Sequence, residues 1–447
     1  MNVKNTESMT KVLRAGPVQV KFADGELRYL RVGEKEIIRR VYFAVRDATW
    51  DTPMPAFSRV DIAQGEDCFE ISLEASCRRD GLAFDWKGRI TGADDGTITF
   101  EVDGEAYSTF DTPRIGLCIL YGSESLCGQP FELAHSDGST SRDEFPHLVK
   151  PTLVAEYHKA LSYRTESGIE VVVDTNDIEM RMEDQRNFGD NSFKSFTDNQ
   201  FGDAQADQGA RARQVLKITV DIGDPELRAA ARRSPEDAPI SIRMDNSDSE
   251  YVIPKIELDS DTPLVDYSKP SRNRDDYKSL EKVTFGIIPG MHLYDNDTYM
   301  ENAPAIVPEV ATLRSFASCK IIRIDPISMK APYPTADMKL QGGAQFAAAW
   351  CARMVKYLAL AKVDESAFDI EEAPARDVLE ALSSHAGRSL LPSDVGPHEA
   401  VDAFGVLIEG KCEIRVINKT LEPQWVKLSG EHACEISLEP LEVRVIG

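Results

Sequence analysis

The sequence predicts a multidomain α+β protein: a large antiparallel β-sandwich, an incomplete α/β layer of three parallel strands, and a small C-terminal β-sandwich. Three observations carry this. Short β-rich runs separated by Gly and Asp turns fill the first half of the chain, strand-like and helix-like segments then alternate three times, and the tail alternates apolar and polar residues at every second position. With 447 residues the chain is longer than one ordinary domain and long enough to bury several cores.

The first domain spans residues 1–220. Its runs VQVKF, LRYLRV, CFEISLEA, LAFDWKGRI, TITFEV, GLCILYG, IEVVVD and QVLKITVDI are rich in β-branched and aromatic residues and are spaced as in a sandwich. Residues 221–280 turn to Asp, Ser, Pro and Arg and read as a bridging region, in which YVIPKIEL (Tyr251 to Leu258) is the best candidate for an extra strand.

In residues 281–387, VTFGIIPGM, KIIRIDPISM and ESAFDI read as buried strands, each followed by a helix: PAIVPEVATLRSFA, AAAWCARMVKYLALA and ARDVLEALSSH. Successive strand–helix pairs imply parallel strands with right-handed crossovers. Trp350, Met354 and Tyr357 fall on one helix face and read as core packing against that sheet. Residues 388–447 form the C-terminal sandwich.

The formal charge of −24, from 75 acidic against 51 basic residues, repels phosphate backbones and anionic membranes, so neither nucleic acid nor a membrane is an expected partner. The first residues contain no apolar signal core and no window is apolar enough to span a bilayer, which leads to the expectation of a cytoplasmic protein. The eight cysteines include no CxxC pair and read mostly as buried thiols. G-x-S-x-G, G-x-G-x-x-G, Walker A and H-E-x-x-H patterns are all missing, so serine-hydrolase, dinucleotide and zincin chemistry lose their best support, and no cofactor is expected.

One segment points to a function. Arg181 to Phe196, RMEDQRNFGDNSFKSF, packs carboxylates, amides, cations and aromatics behind the strand IEVVVD, and it reads as a polar loop projecting from one edge of the sandwich. Glu183, Asp184, Gln185, Arg186, Asn187 and Lys194 are its candidate substrate-binding residues. The plainer alternative is a solvated hairpin with internal ion pairs. A second cluster lies where parallel strands end, at PGMHLYDND, DPISMKAPYP and EEAPARD, whose side chains converge on one face of such a layer. Glu371 could equally complement the dipole of the following helix, Glu372 reads as doing so, and Lys330 could be a solvated loop cation. His292, Asp295 and Asp297 give H-x-x-D-x-D, which reads as turn chemistry rather than a metal site.

MEDQRNF and NSFKSF within that segment, YFAVRDATWDT (Tyr42 to Thr52), GTITFEVDGEA (Gly96 to Ala106) and AQFAAAWCARMVKYLALAKV (Ala344 to Val363) resemble the D-apionate lactonase family, bacterial enzymes that open a branched-sugar-acid lactone. The resemblance implies an N-terminal sandwich, a truncated (β/α) barrel remnant of about three units and a C-terminal β-sandwich. A full barrel takes ~250 residues, so the family's first five units have no counterpart in residues 281–387. It further implies a hydrolase of carbohydrate catabolism, with Glu371 as base, Lys330 or Arg376 as oxyanion partner and His292 as proton shuttle. The alternative is a non-catalytic relative acting as a carbohydrate-binding or assembly subunit. The expected ligand is a small sugar-acid lactone or other carbohydrate. The open edges of a partial barrel lead to the expectation of a homodimer or a partner chain.

Overall fold

The computed structural model describes residues 10–447 except 177, 202–204, 232–238, 245–248, 261, 263–268, 291–292, 331–339, 396–399 and 431. The chain forms two compact units, one of residues 1–184 and 192–234, the other of residues 185–191 and 235–447.

The first unit is a sandwich of an eight-stranded and a nine-stranded antiparallel sheet. All eight strand runs read from the sequence are present. Lys35–Val45 and Ala56–Gln64 join them, as do shorter strands such as Pro130–Ala134 and Thr140–Glu144. Arg211–Ile222 shows why the sandwich forms: its residues alternate strictly between exposed and buried, and Ala212, Leu216, Ile218, Val220 and Ile222 enter the core between the sheets.

The segment expected to project as a loop does not. Met180–Asp184 and Ser192–Thr197 are paired strands inside the eight-stranded sheet, lying between Ile115–Gly122 and Leu153–His158. Met180, Met182 and Phe193 face the sandwich core, while Glu183 and Lys194 sit opposite each other across the ladder. The charges are tolerated inside a sheet because each meets an opposite charge: Glu183 lies 3.5 Å from Lys194 and 3.8 Å from Arg114, which comes from a third strand end.

The second unit contains a parallel sheet with the order β1-β4-β3-β2, where β1 is Lys255–Glu257, β2 Lys282–Ile287, β3 Ile321–Ser328 and β4 Glu365–Asp369. There are thus four parallel strands rather than three, and the fourth comes from the stretch expected to supply it, Tyr251 to Leu258. The helices are α1 (Asn296–Asn302), α2 (Ile306–Phe316), α3 (Gly343–Leu360) and α4 (Ala373–Ser383). Val283, Phe285, Ile322, Ile324 and Phe368 share one core with Trp350, Met354 and Leu379. Trp350 is fully buried against the Tyr299 ring, 6.4 Å between centroids, as the helix-face pattern predicts. The opposite face of the sheet carries ion pairs: Arg323 meets Glu257 at 2.6 Å, Asp325 at 2.9 Å and Glu365 at 3.5 Å.

The C-terminal residues build a seven-stranded sheet that curls round one core of Val401, Ile414, Val416, Val426 and Leu428, nearly closing on itself. Ile240–Met244, from the stretch read as bridging, is an interior strand of it: it runs parallel to Gln424–Ser429 and antiparallel to Leu390–Asp394. Of the eight cysteines, all free, Cys77, Cys118 and Cys351 are buried, Cys68 is exposed and the rest are half-buried, so fewer are core thiols than expected. No helix of the described residues is long and apolar enough to cross a membrane.

Candidate functional site

Parallel strands deliver their C-terminal ends to one side of a sheet, and here those ends gather polar groups. At the end of β3, the Ser328 hydroxyl bonds the Asp369 carboxylate (3.2 Å) and accepts from the Lys330 backbone N–H (3.1 Å). The Lys330 ammonium lies 2.9 Å from the same Asp369 carboxylate, at the end of β4. The hydrogen bond to Asp369, assisted by the charges of Asp369, Glu371 and Glu372 and opposed by desolvation, raises the Lys330 pKa above its ordinary value. Glu371 and Glu372 are exposed, and Glu372 stands at the N-terminus of α4 without a side-chain capping bond.

Arg376, in the first turns of α4, is engaged elsewhere. Its guanidinium pairs with Asp259 at 2.9 Å and donates to the carbonyls of Leu258 and Ile370, both at 3.2 Å. The bond to Asp259 raises its pKa and lowers that of Asp259. Asp369 and Asp259, which organise these cations, were not singled out in the sequence. Asp369 had a signal, as the last acidic residue of the strand ESAFDI, directly before the polar turn. Asp259 had none, because its partner is 117 residues away.

His292 lies outside the described residues. Asp295 accepts a 2.8 Å bond from the Thr298 N–H and caps α1, which is the turn chemistry expected of it. Among the described residues no group of three or more His, Cys, Asp and Glu side chains is placed to hold a metal ion.

The six candidate binding residues divide between the units. Glu183, Asp184 and Lys194 belong to the first, while Gln185, Arg186 and Asn187 belong to the second, within the segment Gln185–Asn191. None projects into solvent: Asp184, Gln185, Arg186, Asn187 and Lys194 are all buried. In the first unit the Asp184 carboxylate accepts from the Lys150 N–H at 2.9 Å. Burial pushes the Lys194 ammonium down to about 8; Glu183 opposes that shift and the neighbouring Arg114 and Arg46 add to it.

In the second unit Asn187 accepts from Arg272 at 3.1 Å, and Phe188 lies beneath the same guanidinium, 4.5 Å from ring centroid to Cζ. Arg186 and Gly189 line a cavity of about 20 Å³ with Ile287, Ile288, Pro289 and Asn302, at the same end of the parallel sheet as Lys330 and Glu371. That volume admits about one water and no sugar.

Asn302, 6% exposed, fastens this segment with three hydrogen bonds. It donates to Asp190 (2.8 Å) and to the Pro289 carbonyl (2.7 Å), and it accepts from the Asn191 N–H (2.9 Å). Asn302→Ala should cost about 3 kcal/mol, since it strips three buried bonds at about 1 kcal/mol each. Denaturant titration followed by fluorescence measures this, and a cost below about 1 kcal/mol would show that the segment is held by other contacts.

Comparison with known proteins bears on the first unit. Residues 1–222 match the family model of the D-apionate lactonase N-terminal domain. A D-apionate lactonase from Brucella anthropi is 27% identical over 245 residues, which is 55% of this chain and 40% of the relative, so the chain spans about 40% of that protein's length. Among solved structures, galactose 1-epimerase from Lactobacillus acidophilus NCFM superposes with a TM-score of 0.34 at 7% identity, covering 49% of this chain and 96% of its own. A GH36 α-galactosidase from Geobacillus stearothermophilus does so with 0.33 at 8% identity, covering 98% and 99%.

Proposed function

We propose, from the match of residues 1–222 to the D-apionate lactonase N-terminal domain model, that this chain hydrolyses a sugar-acid lactone of the D-apionolactone type. The observation that carries the reading is the nearness of an exposed carboxylate, Glu371, to an exposed cation, Lys330, itself paired with Asp369, at the adjoining C-terminal ends of β3 and β4.

The reaction needs a base for water and a donor for the oxyanion. Glu371 takes a proton from water, and the resulting hydroxide adds to the lactone carbonyl. Lys330, anchored by Asp369, donates to the oxyanion. The ring C–O bond then breaks, and the departing alkoxide takes up a proton supplied by His292. Lys330 suits the donor role better than Arg376, whose guanidinium already serves Asp259 and two carbonyls.

The test is hydrolysis of a panel of aldonolactones by the purified protein, followed by base uptake at constant pH. Glu371→Gln should lower kcat about 100-fold or more while KM moves less than about threefold, because proton transfer is lost and shape is kept. Unchanged turnover in Glu371→Gln removes Glu371 from the reaction.

A second reading, carbohydrate binding without hydrolysis, is favoured by one observation. Both cations at the strand ends, Lys330 and Arg376, are already paired with carboxylates. Saturable lactone binding with no acid release would establish it.

A further inference from the structure

The end of β3 departs from regular alternation. Side chains two residues apart on a strand share a face: Ile322 and Ile324 enter the core beside the helices, while Arg323 and Asp325 lie on the ion-paired face. Continued regularly, that alternation would send Ser328 into the core. The pairing of β3 with β4 is irregular between Ile324 and Ile327, so Ile327 takes the core position and Ser328 turns to the ion-paired face. On β4, Phe368 enters the core and Glu365 meets Arg323 on the other face, which puts Asp369 on that face as well. The register then sets Ser328 directly beside Asp369.

There the fully buried Ser328 hydroxyl works in both directions. It donates its one proton to Asp369 (3.2 Å) and accepts from the Lys330 N–H (3.1 Å), while the ammonium of the same lysine donates to Asp369 (2.9 Å). The three bonds close a ring that holds both the main chain and the tip of an exposed lysine. An exposed Lys–carboxylate pair by itself fixes little, because side-chain entropy and water offset the attraction. Ser328 removes part of that entropy beforehand, since it orients the carboxylate from a position that water does not reach.

We propose that Ser328 is a positioning residue for the Lys330 ammonium, which it holds through Asp369 in one place near Glu371. Being wholly buried, it touches no substrate itself. Its consequence for turnover rests on the lactonase reading, because a donor fixed in advance matters most where an oxyanion develops; its hold on the ammonium does not. Opening the ring weakens the bond to Asp369 that raises the Lys330 pKa, so the amine then gives up its proton more readily.

Competitive acetylation of the full chain with acetic anhydride, read lysine by lysine by mass spectrometry from about pH 7 to about pH 11, tests the proposal. In Ser328→Ala, Lys330 should label at least about threefold faster than in wild type below its pKa, the change expected of a shift of about half a pH unit. Lys320, an exposed lysine paired with Glu281, should label as before and serves as the internal reference. Ser328→Thr, which keeps the hydroxyl, should restore the wild-type rate at Lys330. Should Ser328→Ala not fold, Ser328→Cys, which keeps a side chain of similar shape with only a weak donor, takes its place. With D-gluconolactone as substrate, kcat of Ser328→Ala should fall about 10-fold while KM moves less than about threefold, and the alkaline limb of the kcat profile should move to lower pH. Wild-type or slower labelling of Lys330 in Ser328→Ala, or faster labelling that Ser328→Thr does not reverse, overturns the proposal whatever the activity. Faster labelling with unchanged kcat overturns the part in turnover. Faster labelling in a chain whose wild type hydrolyses no lactone upholds the hold on Lys330 and removes the lactonase reading instead.

Discussion

Asp402→Ala is expected to destabilise the second unit by about 3–5 kcal/mol. The carboxylate is 4% exposed as a residue and sits between two cations of α3: Arg353 donates to it at 2.7 Å, and Lys356 pairs with its other oxygen. Removing it leaves two buried positive charges facing a void, which no rotamer change can return to water cheaply. Burial alone would raise the Asp402 pKa, but Lys356 and then Arg353 override it and hold the group well below the usual carboxylate range. The sign of the pH effect follows. The stabilisation is present above the unfolded pKa of about 3.9 and is lost as pH falls below it towards the folded value, so wild type should lose stability below about pH 4 more steeply than the variant. Equilibrium denaturation at neutral and acid pH measures both. Replacing the group as a set, with Arg353→Met, Lys356→Met and Asp402→Leu together, should recover much of the loss, because an apolar set carries no desolvation cost. A cost under about 1 kcal/mol for Asp402→Ala alone would show that the cations find other partners.

Trp350→Ala is expected to cost a similar amount, about 3–5 kcal/mol, through the cavity it leaves. Trp350 is the largest fully buried side chain among the described residues, in the core that joins α3 to the parallel sheet. Its Nε1 has no hydrogen-bond partner among the described residues, so the indole N–H contributes nothing to offset its burial. Trp350→Phe should therefore cost much less than Trp350→Ala, about 1–2 kcal/mol, set by volume alone. Equal costs for the two variants would mean that the site collapses around either side chain.

Much of the architecture was legible in local sequence. The three strand–helix pairs of the parallel layer fall where VTFGIIPGM, KIIRIDPISM and ESAFDI and their following helices place them, because long apolar runs and 3.6-residue periodicity are properties of neighbouring residues. Lys35–Val45 was less readable. Its paired arginines Arg39 and Arg40 break the alternation, and they are accommodated only because Glu36 and Glu26 meet them, Glu26 from the neighbouring strand. The same holds for Met180–Asp184 and Ser192–Thr197, whose charges read as a solvated loop until Arg114 is brought beside Glu183.

The candidate site divides along the same line. The sequence by itself determined that Lys330 and Glu371 stand at the ends of parallel strands, since that follows from strand order and direction. Only the tertiary structure decided that Asp369 anchors Lys330, that Asp259 occupies Arg376, and that Asn302 holds Asp190 and Asn191 across more than a hundred residues. Hydrophobic periodicity is written into adjacent residues, whereas the neutralisation of a buried charge depends on which distant side chain the fold brings within about 3 Å. No local pattern encodes that choice.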